Sequence, residues 1–264
     1  LGLTWQSAPA LTELEDRVTD WLRQMSGLAD TWQGVIQDTA SSCAMIALVA
    51  ARERTTQHGA VTTGMQHGQA PLVVYASSEA HSSVQKAAML AGFGCDHVRK
   101  IAVDGDRAFD VAALREAIAT DLNNGLRPCA IVATTGTTTT TAFDPINELA
   151  DVAELHGLWL HVDRVMRTDP SYLRTAFDDQ VKTYRDWGVA LGRRFRALKL
   201  WSLIRTHGTE RLRTRIRRDL ANARWLAEQV EASPQWRLLA PMQLQTLCIR
   251  HEPDGVTGDA LDKH

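Results

Sequence analysis

The sequence has little excess charge of either sign and no long apolar run. Its 264 residues contain 29 Lys and Arg against 31 Asp and Glu, a formal net charge of −2. This balance offers no global attraction to nucleic acid or to an anionic membrane. No apolar run approaches the roughly 18 residues of a membrane span, and the first residues do not resemble a signal peptide. We therefore predict a cytoplasmic globular protein with no nucleic-acid or membrane partner.

The sequence also contains few cysteines and lysines, and it has no phosphate-loop motif. The four cysteines lack metal-ligand spacing and lie in apolar segments, which predicts reduced core thiols and no metal site: Cys43, Cys95, Cys129 and Cys248. There is no G-x-G-x-x-G or Walker loop, so a dinucleotide or nucleoside-triphosphate site is not indicated. The basic run 205–218 spreads over every face of a helix without aromatic residues, which favours a solvated surface over an anion site. The chain has five lysines: Lys86, Lys100, Lys182, Lys199 and Lys263.

The apolar pattern indicates an α/β fold. Strands are predicted at 71–77, 97–104, 129–136 and 158–163, with helices at 79–93, 110–125 and 144–157 between them. Such alternation is typical of a mainly parallel sheet covered by helices. Before it, we predict a helix over 9–26 opened by a Thr12–Glu15 capping box, a helix from about 40 to 54, and a loop over 55–70. After it, we predict a long helix ending near Gly208, a basic helix over 209–232, and two strands within 236–253.

Polar residues near the predicted strand ends are candidates for a binding site. Asp163 closes the run HGLWLHVD, and ligands in open α/β sheets lie at the carboxyl ends of strands. Thr39, Ala40, Ser41 and Ser42 precede a helix, where small hydroxyl residues serve as N-caps and free N–H groups can also hold an anion. The residues alone leave the cap and the anion site both open. His81, at a strand-to-helix turn, is by itself more typical of a structural role.

Eight segments spread over nearly the whole chain carry a family resemblance: TWQSAPALTELE, GVIQDTAS, YASSEAHSSVQKAA, ATTGTTTTTAFDP, WLHVD, DPSYLR, YRDW and LGRRFRALKLW. Together, and in this order, they are similar to the aromatic L-amino-acid decarboxylases, the pyridoxal-phosphate enzymes that include DOPA, tryptophan and tyrosine decarboxylases. The resemblance implies the α/β large domain of the aspartate aminotransferase type (fold-type I) over residues 1–198. Residues 199–264 would then begin a small C-terminal α+β domain. It also implies a homodimer that converts an aromatic L-amino acid to its arylalkylamine and CO2.

The resemblance assigns roles residue by residue. Ala40 and Ser41 match the phosphate-binding pair, His81 the histidine that stacks on the cofactor ring, and Thr138 a threonine that hydrogen-bonds the cofactor. Asp163 matches the aspartate that pairs with the pyridine nitrogen, and a carboxylate there keeps the ring protonated as an electron sink. Further along, Tyr172 matches the loop tyrosine that returns a proton to Cα. Gly192 matches a small residue that sets room for the substrate ring, and Arg185 a motif position of less defined role.

Two departures from the family pattern stand out. Ser42 replaces the acidic residue that usually follows the Ala-Ser pair. In the family, moreover, a His-Lys pair between the Asp strand and the DPSYL segment holds pyridoxal phosphate as a Schiff base. Here Tyr172 follows Asp163 by only nine positions, and none of the five lysines has that context. We therefore expect the 264 residues to belong to a longer protein. An aldehyde-forming relative, a glutamate or histidine decarboxylase, and a non-catalytic paralogue remain alternatives.

Overall fold

A four-stranded parallel sheet forms the centre of the computed structural model, which describes residues 8–65, 70–163 and 194–253. Its strands are β1 (Leu72–Ser77), β2 (Val98–Ile101), β3 (Arg127–Thr134) and β4 (Trp159–Asp163), in the order β2-β1-β3-β4. Every neighbouring pair is parallel. The predicted α/β fold is confirmed, and the carboxyl ends of all four strands therefore lie at one edge of the sheet.

Helices cover both faces of this sheet, as the alternating pattern predicts. In chain order they are α1 (Pro9–Met25), α2 (Ala40–Thr55), α3 (Gly59–Thr63), α4 (Ser82–Leu90), α5 (Val111–Asn123), α6 (Ile146–His156) and α7 (Ala197–Ala232). On one face, Leu48 of α2 and Val84 of α4 pack with Trp159 of β4. On the other face, Leu114 of α5 and Leu149 of α6 pack in a second buried cluster. Because side chains alternate along a strand, His161 and Asp163 lie on the same face as Trp159, toward α2.

The start of α1 differs from the prediction. The helix begins at Pro9, whose fixed φ and missing N–H suit the first helical position, and Thr12 lies inside it. The Thr12 hydroxyl donates to the Ala8 carbonyl at 3.2 Å, and the buried Glu15 carboxylate accepts from the Ile36 N–H at 3.0 Å. The predicted capping box is therefore wrong, because Glu15 anchors the segment that leads into α2. The predicted loop over 55–70 also contains the short helix α3.

The C-terminal part matches the predicted pattern closely. Gly208 adopts φ +69° and ψ 164° and breaks α7 into two helices, as its position between two helical patterns predicts. The arginines of 205–218 are exposed along it. Strands β5 (Trp236–Leu238) and β6 (Ile249–His251) then pair antiparallel. The domain boundary at residue 198 falls at the second residue of α7 and stays a prediction.

Two general expectations can be compared with the described residues. The cysteines among them are free thiols, but Cys95 is exposed, so the prediction of four core cysteines is wrong at that position. Cys95 lies in a short 3-10 turn between α4 and β2, where its neighbours Asp96 and His97 are polar. None of the described helices combines the length and the apolar character needed to cross a membrane.

Candidate cofactor-binding site

Asp163 lies buried at the carboxyl end of the edge strand β4. Only 5% of its surface is exposed, and it pairs in register with Thr134 at the end of β3. The Thr135 N–H and hydroxyl both lie 3.4 Å from the Asp163 carbonyl oxygen. The strand ladder therefore fixes the backbone of Asp163 and directs its carboxylate toward α2. This is the strand-end position that the sequence predicts.

The first turn of α2 provides N–H groups at the same edge. Thr39 is the N-cap, and its hydroxyl oxygen accepts from the Ser42 N–H at 3.2 Å, so the predicted cap is confirmed. Ala40 and Ser41 occupy the first two helical positions, whose N–H groups have no intrahelical acceptor, and both residues are exposed. The Ser42 hydroxyl lies 3.1 Å from the Thr39 hydroxyl, which gives it a partner without an acidic side chain. The helix thus keeps two N–H groups and its positive dipole end available to an anion.

Cys43 follows this turn on α2, the helix that packs on the strand carrying Asp163. Burial raises the pKa of the Cys43 thiol, and the negative charge of Asp163 raises it further. Because α2 packs on β4, the first turn of α2 and the carboxyl end of β4 lie at the same edge of the sheet. The sequence alone predicts an ordinary core thiol at Cys43 and does not indicate this position. Only the packing of α2 on β4 places it there.

His81 is the N-cap of α4. Its Nδ1 accepts from the Ser83 N–H at 3.2 Å and lies 2.9 Å from the Ser83 hydroxyl. The cap requires a lone pair on Nδ1, which leaves the proton of a neutral imidazole on Nε2. His81 is exposed and lies just beyond the end of β1, at the same edge of the sheet. The structural role is thus observed, and the stacking role stays a prediction.

The threonine loop, residues 135–143, follows β3 and is tightly bonded internally. The hydroxyls of Thr137 and Thr140 lie 2.8 Å apart, and the Ala142 carbonyl accepts from both Gly136 and Thr137 at 3.0 Å. Thr138 lies on the exposed tip of this loop, where a hydroxyl is accessible to a ligand. Its hydrogen bond to a cofactor stays a prediction.

Asp144 fixes the base of the threonine loop. Its carboxylate accepts from the Thr134 N–H at 2.6 Å and from the Phe109 N–H at 2.9 Å, and its own N–H donates to the Thr134 carbonyl at 3.0 Å. Burial raises the pKa of Asp144, and the two N–H donors oppose that shift. The loop that carries Thr138 is therefore attached to the end of β3 by a residue that the sequence analysis did not select.

We expect Asp144→Asn to lower the free energy of unfolding by about 2 kcal/mol. Each carboxylate oxygen accepts one backbone N–H, and an Asn amide nitrogen cannot accept, so one buried donor loses its partner at a cost of about 1–3 kcal/mol. Urea unfolding at pH 7 measures the change. The control is Asp151→Asn on the exposed side of α6, which should stay within about 0.5 kcal/mol of wild type. Equal stabilities for the two variants would contradict the role of Asp144.

Two buried polar side chains beside Asp163 lack partners in the part of the chain that is described. Thr134 and His161 are each 3% exposed, and the Thr134 hydroxyl and both His161 ring nitrogens make no hydrogen bond. Burial lowers the pKa of His161, and the negative charge of Asp163 opposes this shift. Both side chains face α2, next to the carboxylate. Orphaned polar atoms are rare in protein interiors, so these two side chains are candidates for contact with a bound polar group.

The remaining candidates lie outside the described residues. Tyr172, Arg185 and Gly192 all fall within 164–193, so their assignments stay predictions. For the others, the arrangement fits the ring and phosphate of pyridoxal phosphate: N–H groups at α2, a buried carboxylate at β4, and unsatisfied polar atoms beside it. It offers no amine beside Asp163, because the described lysines, Lys86, Lys100 and Lys199, are all exposed on α4, β2 and α7.

Comparisons with known proteins agree with this geometry. The model of the pyridoxal-dependent decarboxylase conserved domain matches residues 1–166 and 164–252. Tryptophan decarboxylase 2 of Oryza sativa subsp. japonica is 30% identical over 96% of this chain, which spans 62% of that relative. Phenylacetaldehyde synthase of a Rosa hybrid cultivar is also 30% identical, over 99% of this chain and 63% of its own length. The crystal structure of Oryza sativa TDC with PLP and tryptamine superposes with a TM-score of 0.87 at 30% identity, covering 99% of this chain and 67% of that one.

The same comparisons locate a gap. The alignment with the Oryza sativa relative spans 316 positions, 52 more than the 264 residues of this chain, so at least 52 positions have no counterpart here. The two family matches meet directly after Asp163, at residues 164–166. This is the place where the sequence lacks the His-Lys pair. The matches nevertheless cover most of the sequence on both sides of the gap, and the chain belongs to the pyridoxal-dependent decarboxylase family.

Proposed function

We propose that the chain is the cofactor-binding part of a pyridoxal-phosphate-dependent decarboxylase of aromatic L-amino acids. The observation that carries the proposal is the packing of α2 on β4, which brings the buried Asp163 carboxylate and the N–H groups of the first turn of α2 to one edge of the sheet. The cofactor carries a ring nitrogen, which suits the carboxylate when protonated, and a phosphate, which suits the N–H groups. When bound, the cofactor supplies an electron sink for the pair of electrons left by departing CO2.

The residues of the chain act by holding charges and protons in place. The Asp163 carboxylate keeps a proton on the ring nitrogen, since a negative charge at that atom favours its charged form. The N–H groups of Ala40 and Ser41 neutralise the phosphate, aided by the helix dipole. His81 would cover one side of the ring, and the exposed Thr138 hydroxyl would donate a hydrogen bond to the cofactor. Together these contacts orient the ring and exclude water from it.

The remaining roles concern substrate and assembly. The phenol of Tyr172 returns a proton to Cα after CO2 has left, and Gly192 leaves space for a large side-chain ring. A homodimer completes the pocket, and the lysine that binds the cofactor lies in sequence that these 264 residues do not contain. The relatives named tryptophan decarboxylase support an aromatic substrate.

Two measurements on the protein from its natural source test this proposal: its mass, and its release of CO2 from a panel of amino acids. A mass well above 29.2 kDa, with release of CO2 from tryptophan, DOPA, tyrosine or phenylalanine, supports it. A mass equal to 29.2 kDa and no release of CO2 from any of them would support a non-catalytic paralogue instead. Preference for glutamate or histidine would move the protein to another branch of the family.

Tyr172 decides between amine and aldehyde as the product. Because the chain is similar to a phenylacetaldehyde synthase, an aldehyde is the alternative product. If the Tyr172 phenol protonates Cα, the full-length Tyr172→Phe variant should form mainly aromatic aldehyde, with ammonia and hydrogen peroxide, and should consume one O2 per turnover. Wild type should release amine without oxygen uptake. Chromatography of products beside an oxygen electrode measures both. Amine as the sole product of the variant at an undiminished rate would remove Tyr172 from this role.

A further inference from the structure

We propose that Cys43 forms part of the floor of the cofactor site, where covalent modification of its thiol and cofactor binding exclude each other. The inference rests on the proposed function and adds a modification site to it. We define the floor as Cys43, Thr134, His161 and Asp163. Its members come from α2, β3 and β4, which converge at the carboxyl edge of the sheet.

The position of Cys43 on α2 places it between the anion-binding turn and Asp163. Residues three and four apart share one face of a helix, so Ala40, Cys43 and Ala47 lie along one stripe. Ala47 is fully buried, whereas Ala40 at the other end is exposed. Cys43, half-buried between them, stands at the boundary between the core and the open edge. Because α2 packs on β4 and the Asp163 side chain faces α2, Cys43 and the carboxylate lie on the same side of the sheet at its carboxyl edge.

The part of the floor formed by β3 and β4 carries buried polar atoms that a bound group could contact. The Thr134 hydroxyl and both His161 nitrogens are at least nine-tenths buried, unpartnered among the described residues and directed toward α2. Thr134 pairs in register with Asp163, so the backbones of the two residues lie one strand spacing, about 4.8 Å, apart, and their side chains share one face of the sheet. A ligand ring that reaches Asp163 therefore passes over Cys43 and beside Thr134. Its presence would shield the sulfur from solvent.

Alkylation of the Cys43 thiol would in turn prevent the cofactor from binding. With iodoacetamide, the Cys43 sulfur forms a bond to the CH2 carbon, iodide leaves with its bonding electrons, and the thiol proton passes to solvent. The added carbamidomethyl group then occupies space that the cofactor ring needs. The reacting form is the thiolate, and the nearby Asp163 carboxylate disfavours it, so removal of that charge should speed the reaction.

A labelling experiment tests the inference with internal controls. The chain is treated with iodoacetamide at pH 8, alone or with pyridoxal 5′-phosphate, pyridoxine 5′-phosphate or inorganic phosphate, and each cysteine is followed by peptide mass spectrometry. Pyridoxine 5′-phosphate has no aldehyde, so its effect excludes adventitious reaction with lysines. We expect either cofactor form to slow labelling of Cys43 about tenfold or more, and phosphate alone to slow it less. The exposed Cys95 should label equally in every arm, and the buried Cys129, whose pKa burial raises to about 11, should stay unlabelled.

Three variants complete the test. Asp163→Asn should label faster at Cys43 than wild type without ligand, because the thiol loses its negative neighbour. In Cys43→Ala, iodoacetamide should no longer abolish binding of pyridoxine 5′-phosphate, whereas Cys95→Ala should give no such protection. Binding is followed by equilibrium dialysis in the same samples. Equal labelling of Cys43 with and without bound ligand would overturn this inference and leave the proposed function standing. Failure of both cofactor forms to bind even to the full-length protein would instead refute the proposed function.

Discussion

Replacing Asp163 with Asn should weaken binding of pyridoxal phosphate to the chain by about tenfold to a hundredfold. A hydrogen bond to a charged group contributes about 1.5–3 kcal/mol, and each 1.4 kcal/mol is roughly tenfold in affinity. The Asn amide is neutral, so it no longer favours the protonated ring nitrogen. In the full-length protein, turnover should fall by about a hundredfold or more, the loss expected when a fixed electrostatic group is removed from an active site. Equilibrium dialysis and assays of released CO2 measure the two effects.

The shape of the side chain stays nearly constant in this substitution, which isolates the effect of charge. The Asp163→Asn protein should keep the backbone pairing between this position and Thr134, and circular dichroism should show an unchanged fold. Asp151→Asn removes an equal charge from the exposed surface of α6 and should leave affinity unaltered. Near-normal turnover of the Asp163→Asn protein with its cofactor bound would show that another residue holds the ring nitrogen protonated.

Local sequence patterns were sufficient to predict the helices and strands of the sheet domain. Strand runs alternate with helices of 9 to 13 residues between β1 and β4, and several helix ends carry a local chemical signal. Asp110 caps α5 through two N–H bonds, and Gly157, at φ +63°, ends α6 in the left-handed conformation. These signals lie within a few residues of the boundaries they set. For the same reason Asp163 at the end of β4 and the Thr39 cap of α2 were predictable.

Contacts between distant segments were not predictable in this way. Glu15 matches a capping box locally, yet it binds the Ile36 N–H 21 residues away, because the helix begins earlier at Pro9. Asp144 looks like a turn residue before Pro145, and only the fold brings Phe109 to its second oxygen. Likewise, neither Cys43 nor His161 carries a motif of its own. Their significance comes from the packing of α2 on β4, which places a thiol and an unpartnered imidazole beside the carboxylate in the described part of the chain.

The fold also limits which lysine could bind a cofactor held by Asp163. Lys100 lies on β2, three strands away from β4, which corresponds to about 14 Å across the sheet. Lys86 is exposed on α4, and Lys199 is exposed in the first turn of α7. Lys182 and Lys263 lie outside the described residues. Their sequence contexts, VKTYRDW and LDKH, differ from the family's His-Lys pair.

We therefore expect borohydride reduction to fix no stoichiometric pyridoxyl group on a chain made of these 264 residues. The phosphate contacts at Ala40 and Ser41 and the charge of Asp163 would hold the cofactor without a covalent bond, so dialysis should remove it. The protein from its natural source should instead be yellow and retain the label on a lysine of a His-Lys peptide absent from this sequence. Mass spectrometry of peptides after reduction distinguishes the two, and pyridoxine 5′-phosphate as competitor separates site-directed from random labelling. Stoichiometric, competitor-sensitive label on Lys182 or Lys199 would show that the lysine of the site lies within this chain, on the segment that follows Asp163 or at the start of α7.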